Sequence, residues 1–271
     1  MTVMARPAGP SQRTAAERYR FRHVARMEWI KLHSLRSTWC ALVITVGGAT
    51  AMAVLIGRGT RNGAGDLTNN ALAGVAPGLL FTGVLGVLIM TSEYTSGMIR
   101  ATLAAVPRRP LLLAAKAAVL GVVALVAGEA ASFISFAAGG AALRHGIAAP
   151  SLAQPEVLRA VLLAGASFSL IGLLGLGLGA MIRHTAAAIA VLVGGVYLAA
   201  QAVGAASLGV ARYMPVLIVA NSLTTTKPAT CSPHAAPCLH FLSPWAGLGL
   251  LSLYAAAALG AGAWLLARRD A

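Results

Sequence analysis

Six stretches of this chain, between 18 and 33 residues long, carry almost no charge. They run Trp39–Ile56, Ala71–Met90, Leu111–Leu143, Val157–Met181, Ala186–Ser207 and Pro244–Ala267. A helix rises about 1.5 Å per residue and the hydrocarbon core of a bilayer is roughly 30 Å thick, so about 20 apolar residues suffice for one crossing. Charged residues make up only 10% of the 271 positions and hydrophobic ones 58%. A water-soluble domain carries about a quarter charged residues, so lipid is the solvent that this composition fits. The expected fold is an all-α integral membrane protein with a six-helix transmembrane bundle. The first run is slightly short. The third is long, and is expected to tilt, to kink near Gly121 or Gly128, or to begin outside the hydrocarbon.

The formal net charge is +14, from 21 Lys and Arg against 7 Asp and Glu. In a soluble chain that balance would point to nucleic acid. Here the charges cluster at the ends of apolar runs, where they anchor to anionic lipid and set orientation, so no nucleic-acid partner is expected. With the N-terminus inside, 15 of the 21 basic residues fall on the inner side and 6 on the outer. The expected topology is a multi-pass protein of the bacterial cytoplasmic membrane with both termini cytoplasmic. The first 38 residues are Arg-rich and have no apolar core, so the first span is expected to serve as its own insertion signal.

Three regions divide the chain. Residues 1–18 read as a disordered cytoplasmic tail. Residues 19–37 read as an interfacial helix, with Phe21, Val24, Ala25, Trp29, Leu32 and Leu35 on one face and Arg22, His23, Arg26 and His33 opposite. Glu28 interrupts the apolar face and calls for a neighbouring base. Residues 38–271 form the membrane domain.

Between the second and third runs lies Ser92–Arg109, a mixed polar and apolar segment. Read as one helix from Glu93, with Thr91 or Ser92 as cap, it places Glu93, Gly97, Arg100 and Ala104 along one stripe and Tyr94, Met98 and Ala101 along a second. Glu93 would then complement the positive end of the helix dipole, and Pro107 and Pro110 would end the helix. The competing reading is an ordinary capped loop.

The loop from Leu208 to Ser243 holds an apolar patch, Met214–Ala220, and then Cys231 and Cys238. Two cysteines this close outside a bacterial cell most often form a disulfide. Free thiols are a second outcome. With His234 and His240 the same residues also spell Cys-x2-His-x3-Cys-x-His, a metal set. Cys40 reads as an inert apolar residue in the first span. Gly175 and Gly179 form a small-xxx-small pair suited to close helix packing, and Gly47, Gly48, Gly194 and Gly195 add further smooth patches. Glu129, with Ser132 and Ser135 near it, is the acid deepest within a run. It reads either as part of a translocation path or as a neutral group bonded to a neighbouring helix.

Enzymatic machinery is not legible. The three lysines, Lys31, Lys116 and Lys227, all lack a preceding Gly, which excludes G-x-x-x-x-G-K-[ST]. H-E-x-x-H and G-x-S-x-G are also absent. The chain is expected to be no enzyme and to bind neither metal nor cofactor, so a translocating bundle would draw energy from elsewhere.

At three places the chain resembles the transmembrane permease subunit of bacterial type-2 ATP-binding-cassette (ABC) exporters of the actinobacterial kind. Glu28-Trp29-Ile30-Lys31 through Arg36 and Trp39 resembles the family's amphipathic approach to the first span. Ser92-Glu93-Tyr94, Gly97, Ile99-Arg100, Thr102-Leu103 and Pro107-Arg108-Arg109 resemble its cytoplasmic coupling helix. The last long loop, with Met214–Ala220, resembles its re-entrant extracellular hairpin. The resemblance implies a pathway built with a second copy or a sister permease. It also implies a separate cytoplasmic ATPase carrying ATP and Mg, and docking through Glu93, Tyr94, Gly97 and Arg100. The alternatives are a non-transporting membrane sensor or assembly component, and a secondary transporter.

Overall fold

The computed structural model describes residues 21–60, 65–106, 108–199, 202–203, 208–225 and 242–268, and among these it is all-helical. The helices are α1 (Phe21–Ser34), α2 (Arg36–Gly59), α3 (Leu67–Ala71), α4 (Val75–Thr95), α5 (Met98–Ala105), α6 (Arg109–Ala141), α7 (Pro155–Ile182) and α8 (Thr185–Val191). A π-helical stretch, Leu192–Leu198, continues α8, and α9 (Leu208–Ala211), α10 (Pro215–Ser222) and α11 (Pro244–Arg268) follow. Five of them, α2, α4, α6, α7 and α11, are long and apolar enough to cross a membrane. The fifth expected run, Ala186–Ser207, coincides in part with a shorter apolar helix, Thr185–Leu198. The rest of that run lies partly outside the described residues, as do residues 1–18, Pro107, Cys231, His234, Cys238 and His240.

The first long helix starts at Arg36, three residues ahead of the expected boundary, which removes its apparent shortness. The third is one continuous 33-residue helix. At 1.5 Å per residue it is about 50 Å long, so it outruns the hydrocarbon rather than breaking at Gly121 or Gly128.

Burial ranks the long helices. Two-thirds of the apolar window of α7 and over half of that of α4 are buried, against 22% for α2 and for α11, so α4 and α7 form the centre. Their contact is made by glycine. A Cβ on Gly86 would overlap the carbonyl oxygen of Gly172, and one on Gly175 would overlap that of Gly83. Lipid gives no hydrophobic drive for helices to associate, so backbone-to-backbone packing supplies it. Gly177 and Gly262 do the same between α7 and α11. Around Gly47, Gly48, Gly194 and Gly195, by contrast, there is open space, so the expected smooth patches there meet nothing among the described residues.

The contacts along their lengths set α2 and α6 running one way and α4, α7 and α11 the other, giving the bundle two ends. At one end Asp66 caps α3, accepting from Thr68 N and Asn69 N at 3.0 Å, and also holds Thr225 N–H and Oγ. Nearby, Arg159 donates to Thr224 O at 3.0 Å. The apolar patch Met214–Ala220 lies there mostly in α10, with Val216, Ile218 and Val219 buried. At the other end Arg109 donates to Leu266 O at 3.0 Å, joining the start of α6 to the finish of α11. The candidate site lies at this second end.

Candidate functional site

Four charged side chains from three helices meet inside the second end. Lys116 of α6 donates to Glu28 Oε2 of α1 and to Glu93 Oε1 of α4, both at 2.7 Å. Lys31 of α1 donates to Glu28 Oε1 at 3.1 Å and to Glu93 Oε1 at 3.0 Å. The quartet is formally neutral. Glu28, Glu93 and Lys116 are all more than nine-tenths buried, while the Lys31 side chain is 29% exposed. A lone charge there would carry a large desolvation penalty, which mutual pairing offsets. Burial works against the Lys31 charge, but the hydrogen bond it donates to Glu93 and the charges of Glu28 and Glu93 outweigh it and raise its pKa above the ordinary 10.5.

Local geometry explains why Glu93 needs two cations. The expected single helix starting at Glu93 is not what forms. Instead α4 runs on to Thr95 and stops where Gly97 adopts φ 70°, with Gly97 N–H bonded to Tyr94 O and Ser96 N–H to Ser92 O. Glycine takes this left-handed conformation without the Cβ penalty, and it makes a common helix stop. Glu93 therefore sits in the last turn of α4, at the negative end of the helix dipole, which is the wrong end for a carboxylate. Thr91, expected as a possible cap, instead donates to Val87 O at 3.1 Å within the helix.

The two stripes expected on the surface segment part company. Glu93 faces inward, whereas Gly97 and Arg100 are exposed. Tyr94 is half-buried, its ring lies 5.2 Å below the Arg183 guanidinium, and its hydroxyl accepts and donates no hydrogen bond. Arg183 ends α7, itself with a positive φ of 60°. Adjacent residues of α4 thus reach in two directions, Glu93 to α1 and α6, Tyr94 to the end of α7. Beyond Gly97, α5 is fixed by Ile99 and Thr102, both buried, while Arg100, Ala101 and Ala104 face outward.

The first expected surface helix is also rearranged. Leu35 breaks it with an extended backbone, so α1 and α2 are separate helices. The buried stripe of α1 is Val24, Glu28 and Leu32, one residue per turn. Phe21, Trp29 and Leu35, expected on the same apolar face, are 45%, 48% and 51% exposed. Pairing of Glu28 with Lys116 draws that stripe inward and turns the aromatics out. Trp29, His33 and Trp39 form an exposed aromatic chain at the elbow, with Trp39 Nε1 donating to His33 O at 3.0 Å. Arg36 is exposed beside it.

Lys116 is the site residue that sequence reasoning missed, since it passed as one more basic residue on the inner side. The signal was there: Lys116 interrupts an apolar run, and Glu28 interrupts an apolar helical face. Opposite charges stranded in this way are each other's natural partners.

Glu129 lies elsewhere, half-buried on α6, with its carboxyl against Gly165 of α7. Its Oε2 and the hydroxyls of Ser132 and Ser135 are buried without hydrogen-bond partners. No link joins it to the quartet. Cys40 is a free thiol on the exposed side of α2. Among the described residues no group of His, Cys, Asp and Glu could hold a metal ion.

Five apolar, membrane-length helices around a glycine-packed centre define a multi-pass helical membrane protein. No protein-family model matches the chain, and no curated protein matches it.

Proposed function

We propose that this chain is the membrane-spanning permease subunit of an ABC exporter in a bacterial cytoplasmic membrane. In this reading it has six spans and both termini inside, and it works with a second copy or a sister permease. It is no enzyme: a separate cytoplasmic ATPase supplies ATP and Mg. The observation that carries the reading is the rooting of α5. An eight-residue helix with one exposed face follows a glycine hinge, and Glu93 and Tyr94, in the last turn of the helix before that hinge, grip different parts of the bundle. A push on α5 is therefore delivered to α1 and α6 through Glu93 and to α7 through Tyr94. With no phosphate-binding loop in the chain, the push has to come from a partner.

The burial of Glu93 divides the roles expected of the coupling residues. Gly97 and Arg100, with Ala101, present the docking surface; Glu93 and Tyr94 transmit. The test is isolation of the chain from its native membrane with whatever ATP-hydrolysing subunit accompanies it. Arg100→Glu should release that subunit and stop ATP-driven export, while the chain stays folded and inserted. If no ATPase accompanies the chain and Arg100→Glu changes nothing, a membrane sensor or assembly component becomes the better reading. Transport stopped by uncoupling the proton gradient, and not by depleting ATP, would identify a secondary transporter.

A further inference from the structure

Beside the ion quartet is a cavity of about 730 Å³, lined by α1, α2, α4 and α6 and by Met98 of α5. That volume lies within the ~300–1,000 Å³ range of ligand pockets. Its two ends differ in chemistry. One is lined by Lys31, Glu93, Ser37 and Ser92, the other by Ile44, Phe81, Val84 and Leu88. Ile44 and Phe81 are about half exposed and Leu88 39% exposed, so the apolar end opens sideways between α2 and α4, toward the lipid.

The length of this groove is informative. Glu93 and Phe81 are 12 residues apart on one helix, so the lining extends about 18 Å along α4. One leaflet contributes roughly 15 Å, half of the ~30 Å hydrocarbon core. A groove with a charged head, an apolar body and the depth of one leaflet has the proportions of a lipid molecule.

The charged end selects among headgroups. Glu93, more than nine-tenths buried, uses Oε1 for both lysines, and its Oε2 accepts no hydrogen bond. A buried carboxylate oxygen without a donor is costly, and an N–H would satisfy it. Lys31 is partly exposed and spends two of its three N–H groups on Glu28 and Glu93, which leaves one for an acceptor. Because the quartet is already neutral, a net charge added beside it would go uncompensated, whereas a zwitterion preserves the balance.

We propose that this groove binds a membrane phospholipid whose headgroup carries a primary ammonium. The ammonium donates to Glu93, the phosphate accepts from Lys31, and an acyl chain lies between α2 and α4. This inference does not rest on the exporter reading: the groove lies between α2 and α4, and α5 borders it at Met98 alone.

The test uses the full chain exchanged into micelles doped with phosphatidylethanolamine, phosphatidylcholine or phosphatidylglycerol, with lipid retention read by native mass spectrometry. Phosphatidylethanolamine should be retained about tenfold better than phosphatidylcholine, which has no ammonium N–H, that being the worth of one hydrogen bond to a charged group. Phosphatidylglycerol, an anion, should also lose. Val84→Trp, which fills the groove, should abolish the preference. Should that variant fail to fold, alkylation of Cys40, which lines the same cavity, can be done on the folded protein, with Cys231→Ser and Cys238→Ser removing the other thiols. Equal retention of the three lipids, preference for phosphatidylglycerol, or a preference that survives blocking of the groove would each overturn the proposal.

Discussion

Glu93 and Lys116, 23 residues apart in sequence, meet at 2.7 Å in the interior of the bundle, and Lys116 reaches Glu28 at the same distance. One lysine therefore bridges two acids from two other helices. Removing one member of such a buried cluster exposes the others to an uncompensated charge, at a cost of about 3–5 kcal/mol. Lys116→Met should lower thermal stability in detergent by that order. Adding Glu93→Gln to it should restore much of the loss, because Glu28 keeps Lys31. Additive losses in the double variant would show that the residues do not act as a unit.

Lys31 gives the cluster its pH signature. Its pKa is raised in the folded protein, so the stabilisation it brings is complete below the unfolded value of 10.5 and is lost as pH rises through the higher folded value. The gap in melting temperature between wild type and Lys31→Met should stay level from about pH 7 to 10 and close only above that. A gap that closes near neutrality would contradict this.

Tyr94 separates ring from hydroxyl. Its ring faces the Arg183 guanidinium at 5.2 Å, while its buried hydroxyl makes no hydrogen bond. Tyr94→Phe should be neutral or slightly stabilising, since it removes an unsatisfied polar group. Tyr94→Leu should cost about 0.5–2 kcal/mol through loss of the cation–π contact. If the exporter reading holds, Tyr94→Leu should also loosen ATP hydrolysis from transport, read as ATP consumed per molecule exported.

The central seam tolerates no added carbon. Gly86→Ala and Gly175→Ala each place a methyl on a facing carbonyl oxygen. Each should destabilise by about 1–3 kcal/mol, as overpacking does. Gly47→Ala and Gly194→Ala, which meet open space, serve as controls and should not. Unfolding in detergent of the four variants compares seam with surface.

The hydrophobic runs were legible because length and apolarity alone specify a membrane helix, and the Gly175–Gly179 spacing pointed to the seam on α7. What lay beyond reach was the partner of each group. That Gly172 and Gly175 face Gly86 and Gly83 depends on how α4 and α7 are brought together, which no local spacing encodes. The quartet was half legible: Glu28 called for a base, but Lys116 was 88 residues away. The direction of Glu93 turned on one backbone angle. Gly97 could continue a helix or end it in the left-handed region, and ending it moved Glu93 from the first turn of one helix to the last turn of another. Trp29 followed similarly, because pairing at Glu28 fixed which stripe of α1 turned inward.

The order of charges along the chain has a consequence for biogenesis. Glu28, Lys31 and Glu93 are all synthesised before Lys116, so until α6 emerges from the ribosome two acids share one lysine. The nascent protein then holds an excess negative charge at the place where α1 meets α4. Lys116 balances it, and its two contacts tie α6 to both earlier helices. A chain ending after α5 would hold Glu28 and Glu93 against Lys31 alone.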